Sequence, residues 1–85
     1  MVGEVPLRRM NYRAPVESER ELDLAVAQLR VAVGLVEVEK QRRVISRLEH
    51  DGHETATAEA LLTVLLSAQA LREQLCETIK QEMAA

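Results

Sequence analysis

The segment Glu49-His50-Asp51-Gly52-His53-Glu54-Thr55 separates two long stretches of helical periodicity. Gly52 can adopt the left-handed conformation that ends many helices, and Thr55 can cap the start of the next helix. Because this is the one clear break between the two stretches, the sequence predicts an all-α fold in which two long antiparallel helices form a hairpin.

The first helix is predicted to cover about residues 18–51. Ser18 is suited to the N-cap, and Glu21 three residues later completes a capping box. Apolar residues then recur with a 4-3-4-3 spacing, which indicates a helix in spite of the many valines. These residues are Leu22, Val26, Leu29, Val33 and Val36.

The second helix is predicted to cover about residues 55–83, after a turn at residues 52–54. Its polar residues repeat every three or four positions, which is the pattern of an amphipathic helix. The opposite face, predicted to pack on the first helix, consists of Leu61, Leu65, Ala68, Leu75 and Ile79.

A hairpin closed at Gly52 and His53 also predicts which residues face each other. Arg47 is expected beside Glu59, where a surface ion pair contributes about 0–1 kcal/mol and would help to fix the register. The expected apolar pairs are Ile45 with Leu61, Val38 with Ala68, Leu35 with Leu71, and Val31 with Leu75.

Residues 1–16 contain both prolines and show no helical period, so they are predicted to form an irregular N-terminal arm. The arm carries Arg8, Arg9 and Arg13. Two alternatives stay open: a disordered tail, or an arm that docks on helices of this chain or of a partner through its apolar residues.

The first helix carries more apolar surface than the second helix can cover. Of the 17 residues at positions 22–38, 12 are apolar, and a helix of this kind needs more than one neighbour. Two helices alone also form a poor core. The sequence therefore predicts a homo-oligomer, with a dimer that forms a four-helix bundle favoured over a hetero-assembly of the same kind. The predicted interface consists of Leu22, Val26, Leu29, Val33, Val36, Leu62 and Leu66.

Composition narrows the class of protein. The 85 residues suffice for one domain, and the net charge of −3 together with the lack of Trp and Phe argues against a nucleic-acid binder. Cys76 is the only cysteine, which favours a reducing cytoplasm. No apolar run is long enough for a signal peptide or a membrane span. A soluble, cytoplasmic protein without membrane contact is predicted.

Three groups of residues are candidate sites. His50, His53 and Glu54 could form a metal site or a pH switch, but polar residues are common in turns and the set of ligands is incomplete. Cys76 has no nearby histidine, which favours a structural thiol. Ser46 and His50 are the only serine and histidine at helical spacing, and no phosphate-binding loop is present. No catalytic residue, cofactor or metal ligand is predicted.

A basic patch consists of Lys40, Arg42, Arg43 and Arg47. It could bind a phosphate or an acidic partner. Glu39 lies four residues before Arg43, so an internally paired, solvated surface is the favoured interpretation.

Residues 43–62, RVISRLEHDGHETATAEALL, resemble small uncharacterised bacterial helical-hairpin proteins. In those proteins an R-x-I-x-x-L stretch leads into G-H-[DE]-T-x-x-A-x-x-L-L. The resemblance covers about a quarter of the chain and implies a hairpin. It implies no activity and no site residues.

The predicted function is that of a non-enzymatic interaction or oligomerisation module with a regulatory or adaptor-like role and an unidentified protein partner. The alternative is a nucleic-acid-associated regulator that uses the arginines of the N-terminal arm, Arg8, Arg9 and Arg13, together with the basic patch.

Overall fold

The protein is described from a computed structural model that covers residues 16–84. Helix α1 comprises Val16–His50 and helix α2 comprises Ala56–Ala84. With 35 and 29 residues, the helices are about 52 and 44 Å long. They contact each other as an antiparallel pair, so the predicted all-α helical hairpin is confirmed.

The helix boundaries differ slightly from the prediction. Helix α1 already begins at Val16, so Ser18 lies inside the helix and its predicted role as N-cap is wrong. Glu19 lies in the first turn of this longer helix, where the helix dipole stabilises a carboxylate. The predicted arm lies outside the described residues except for Val16.

The end of α1 is a Schellman motif. Gly52 has a φ of +77°, the left-handed conformation expected of it. The amide of His53 donates to the carbonyl of Leu48 at 2.8 Å, and the amide of Gly52 donates to the carbonyl of Glu49 at 3.1 Å. These two bonds satisfy carbonyls that the helix end would otherwise leave free and turn the chain away from the helix axis.

Helix α2 starts directly after Thr55. The carbonyl of Thr55 accepts from the amide of Glu59 at 2.8 Å, which places Thr55 at the N-cap position. Its hydroxyl donates to the carboxylate of Glu59 at 2.8 Å, a side-chain bond that differs from the hydroxyl-to-amide bond of the usual cap. Thr55 is therefore at the predicted N-cap position, but its hydroxyl bonds to a carboxylate and not to a backbone amide.

The two helices meet along a seam of buried and half-buried residues with a heptad spacing. Such a spacing is typical of coiled coils, in which one row of each helix faces the partner. On α1 the row is Leu24, Ala27, Val31, Gly34, Val38, Gln41, Ile45 and Leu48. On α2 it is Ala58, Leu62, Leu65, Gln69, Arg72, Cys76 and Ile79.

The predicted packed face of α2 is right for Leu65, Ala68 and Ile79, which are half-buried, and wrong for three leucines. Leu61, Leu71 and Leu75 were assigned to the packed face, but they are 48–68% exposed. Leu35, the expected counterpart of Leu71, is exposed as well. Polar residues take their place because Gln69 and Arg72 lie on the row that faces α1. One residue of displacement along a helix rotates the packed face by about 100°.

The ion pairs within residues 19–84 also differ from the prediction. Arg20 Nη1 lies 3.1 Å from Glu82 Oε1, and Arg72 Nη1 lies 3.7 Å from Glu37 Oε1. The expected pair between Arg47 and Glu59 is absent from this part of the chain. Glu59 instead accepts the hydroxyl of Thr55 on its own helix.

Two glutamines in the seam bridge the helices. Gln69 Nε2 donates to the carbonyl of Val31, and Gln41 Nε2 donates to the carbonyl of Ala58, both at 2.9 Å. Gln69 is only 5% exposed, so a shift of either helix would leave a buried amide without its partner. Such a loss costs about 1–3 kcal/mol, so these bonds fix the register.

Gly34 provides the space that Gln69 occupies. A Cβ atom at position 34 would lie 1.7 Å from Gln69 Oε1. A glycine inside a helix costs about 1 kcal/mol relative to alanine, so its presence here is explained by this close approach. The oxygen of Gln69 has no hydrogen-bond partner within the described residues, and Arg72 Nη1 would lie 2.8 Å from the same Cβ.

Substitution of Gly52 is expected to destabilise the hairpin through the backbone alone, because no atom lies within 4 Å of a Cβ built there. Gly52→Ala should lower the free energy of unfolding by about 1 kcal/mol, and Gly52→Val by more. Gly52→Asn, which tolerates the left-handed region, should have the smallest effect. Thermal melts at a fixed protein concentration measure this order. A stabilising Gly52→Ala would mean that one helix continues through the turn.

The effect of Gly34→Ala on the free energy of unfolding is expected to change sign with the residue at position 69. Gly34→Ala should destabilise the wild-type chain, because Gln69 must leave its site and lose its bond to Val31. In a Gln69→Ala background the same change should stabilise by about 1 kcal/mol through helix propensity. Denaturant unfolding of the four variants of this double-mutant cycle measures the coupling. Equal effects in both backgrounds would contradict the close approach.

Candidate interaction surface

The outer face of α1 carries a continuous apolar row that we call the α1 outer stripe. At about 100° per residue, the centre of this row lies about 160° from the centre of the seam, on the side away from α2. Its members are between 40% and 64% exposed. They are Leu22, Val26, Leu29, Val33 and Val36.

The α1 outer stripe exists because the N-terminal half of α1 has two apolar rows. One row fills the seam, and the other has the same heptad spacing on the opposite side. A single antiparallel partner can cover only one of them. Ala25 and Ala32 border the stripe on one side and are exposed, so its edge there is also apolar.

Charged residues continue the stripe at both ends with the same spacing. Glu19 lies three residues before Leu22, and Lys40 lies four residues after Val36. Arg43 follows three residues later, and Glu19, Lys40 and Arg43 are all exposed. The outer face of α1 is thus acidic at one end, apolar in the middle and basic at the other end.

The two predicted interface residues of α2 lie elsewhere. Leu62 is half-buried in the seam, so its predicted position in the interface with a partner is wrong. Leu66 is exposed at the edge of the hairpin, where it lines a groove of about 370 Å³ together with Leu35 and Gln69. The structure brings together the five predicted residues of α1 and separates the two of α2 from them.

A second apolar row lies on one flank of α2, and we call it the α2 flank. The sequence pattern does not reveal this row, because three of its four members are predicted to lie in the seam. The sequence does contain a signal for it. Leu62, Leu65 and Cys76 keep a heptad spacing if Gln69 and Arg72 also belong to the seam. The other leucines of α2 then lie outside the seam. The α2 flank consists of Leu61, Val64, Leu71 and Leu75.

The basic patch follows the C-terminal half of α1. Its four cations are exposed, and Arg42, Arg43 and Arg47 line a groove of about 660 Å³. The other lining residues are Glu39, Ser46, His50 and Asp51. None of the four takes part in the two ion pairs found within residues 19–84. The expected internal pairing with Glu39 is absent there, so the patch presents positive charge to solvent.

The remaining candidates are the turn and the thiol. His50, His53 and Glu54 are exposed, and residues 16–84 hold no group of three His, Cys, Asp or Glu arranged to bind a metal ion. Cys76 is buried in the seam. Neither described helix combines the length and the apolar character needed to cross a membrane.

The likeness of residues 43–62 to bacterial hairpin proteins concerns the turn and stays a prediction. Comparisons with protein families, with characterised proteins and with solved structures find no significant match to this chain.

Proposed function

We propose that this protein is a non-enzymatic helical module that self-associates through the α1 outer stripe and serves a regulatory or adaptor-like role. The observation that carries this proposal is the row of five exposed valines and leucines on the side of α1 that α2 does not cover. Rows of this kind on a helix surface are characteristic of contact sites between proteins.

The thin core of the hairpin supports association. Within residues 19–84, the buried apolar side chains are Ala27, Val38 and Cys76, and no large side chain is fully buried. Chains of this size gain only about 3–5 kcal/mol from a single core and usually need a further source of stability. Burial of the stripe against another helix supplies such a source.

The free energy gained by burying the stripe is comparable with the cost of association. Full burial of a Val or Leu side chain stabilises by about 1.5–3 kcal/mol, so a half-exposed one adds about 1 kcal/mol. Five residues from each of two copies give on the order of 10 kcal/mol, comparable with the cost of association, about 4–15 kcal/mol. Contacts at the charged ends then influence the affinity.

Val33→Glu is expected to dissociate the assembly, because it places a charge in the middle of the α1 outer stripe. Glutamate is at least as good a helix former as valine, so the hairpin itself should keep its helicity. Light scattering coupled to size exclusion measures the mass of the particle at micromolar concentration, and circular dichroism measures the helix content.

Gln28→Glu is the matched control, since it adds the same charge at an exposed position of α1 outside the stripe. It should leave the mass unchanged. A wild-type protein that is a stable, helical monomer at micromolar concentration would overturn the proposal, and so would equal behaviour of the two variants.

A second candidate function is association with nucleic acid through the basic patch and the arginines of the N-terminal arm. The observation that favours it is the absence of ion pairs at Lys40, Arg42, Arg43 and Arg47 within the described residues. A dimer would present this patch twice. The net charge of −3 weighs against this function.

Nucleic-acid binding is expected to weaken steeply with salt if the patch contacts phosphates. An electrophoretic shift with double-stranded and single-stranded DNA, repeated at several salt concentrations, gives the slope. Arg43→Gln combined with Arg47→Gln should reduce the slope, and Arg30→Gln, outside the patch, should not. No shift at low salt would exclude this function.

A further inference from the structure

We propose that two copies pair with their α1 helices antiparallel, so that the acidic end of each α1 outer stripe contacts the basic end of the other. This inference rests on the proposed self-association and specifies its geometry. The partner is a second copy of this chain.

The order of charges along α1 favours the antiparallel orientation. From Glu19 to Arg43 the outer face repeats with alternating steps of three and four residues. An antiparallel pair centred on this row places Glu19 of one copy beside Arg43 of the other, and Leu29 beside Val33. A parallel pair would instead place Glu19 beside Glu19 of the other copy and Arg43 beside Arg43 of the other copy. Like charges repel each other.

The charged residues at both ends of the stripe are available for this contact. Glu19, Lys40 and Arg43 are exposed, and neither of the ion pairs in the described part of the chain involves them. By contrast, Arg20 is already paired with Glu82 on α2 at 3.1 Å, and Glu37 with Arg72 at 3.7 Å. These two pairs thus join α1 to α2, and the charges at the ends of the α1 outer stripe are available to a partner.

The stripe also fits itself better than it fits the α2 flank. An antiparallel pair of identical stripes is a two-fold contact, which closes after two copies and forms each end contact twice. Docking of the stripe on the α2 flank would be head-to-tail and would leave one surface open at each end. The α2 flank also lacks a basic end, because Glu54 precedes it and Glu82 follows it.

The position of the stripe determines the shape of the dimer. Since the stripe lies about 160° from the seam, the two α1 helices come together on the side away from both α2 helices. The four helices then lie approximately in one layer, in the order α2, α1, α1, α2. This layer differs from a square bundle, in which each helix would use two faces about 90° apart.

Charge reversal tests the orientation. Glu19→Lys and Arg43→Glu should each raise the dimer dissociation constant about tenfold, because each turns two attractive contacts into repulsive ones. The double variant Glu19→Lys/Arg43→Glu should restore the wild-type value. In a parallel dimer the single variants would leave the dissociation constant unchanged, which would overturn the proposal. Sedimentation equilibrium at low salt measures all four proteins.

Disulfide formation gives a second, independent readout in a Cys76→Ala background. Glu19 and Arg43 lie about 36 Å apart along one helix. A mixture of Glu19→Cys and Arg43→Cys copies should therefore form mixed disulfide dimers, and Glu19→Cys alone should not. The opposite result would overturn the antiparallel arrangement.

The two proposals fail in different ways. A wild-type dimer that Val33→Glu dissociates but that charge reversal does not affect would retain the proposed function and reject the antiparallel geometry. A monomeric wild-type protein would reject both.

Discussion

The hydrogen bond from the Gln69 side chain to the carbonyl of Val31 is the interaction on which the rest of the hairpin depends. It requires the close approach that Gly34 allows, and it turns the polar row of α2 towards α1. Once that rotation is fixed, Leu61, Leu71 and Leu75 must face outward. The surface of the protein is therefore a consequence of a polar contact in its interior.

The seam has a small apolar core, but its polar contacts define the register of the two helices. Small residues on α1 and two glutamines occupy seam positions that larger aliphatic residues would fill in a more stable pair. The glutamine bonds contribute little net energy, but they penalise every other alignment. The seam thus supplies the alignment of the two helices, and the outer face of α1 carries apolar side chains that the seam leaves uncovered.

The sequence predicts the hairpin and the α1 outer stripe because each follows from local signals. Gly52 marks the end of a helix by its backbone freedom, and the 4-3 spacing of Leu22, Val26 and Leu29 marks a helix face. The face of α2 could not be predicted in the same way, since α2 has two aliphatic rows. The choice between them depends on the space opposite Gln69, and periodicity carries no information about a neighbouring helix.

The open space around Gly52 has a consequence for how the chain folds. The backbone hydrogen bonds of the turn join residues between Arg47 and His53, and no atom lies within 4 Å of a Cβ built at Gly52. Its geometry is therefore encoded in the backbone of a few consecutive residues and can form before any distant contact exists. The separation in sequence between facing residues then grows steadily from Gln41 and Ala58 to Arg20 and Glu82. The entropic cost of loop closure is lowest beside the turn, so the helices can pair from the turn towards their far ends. Those ends then pair last and open first.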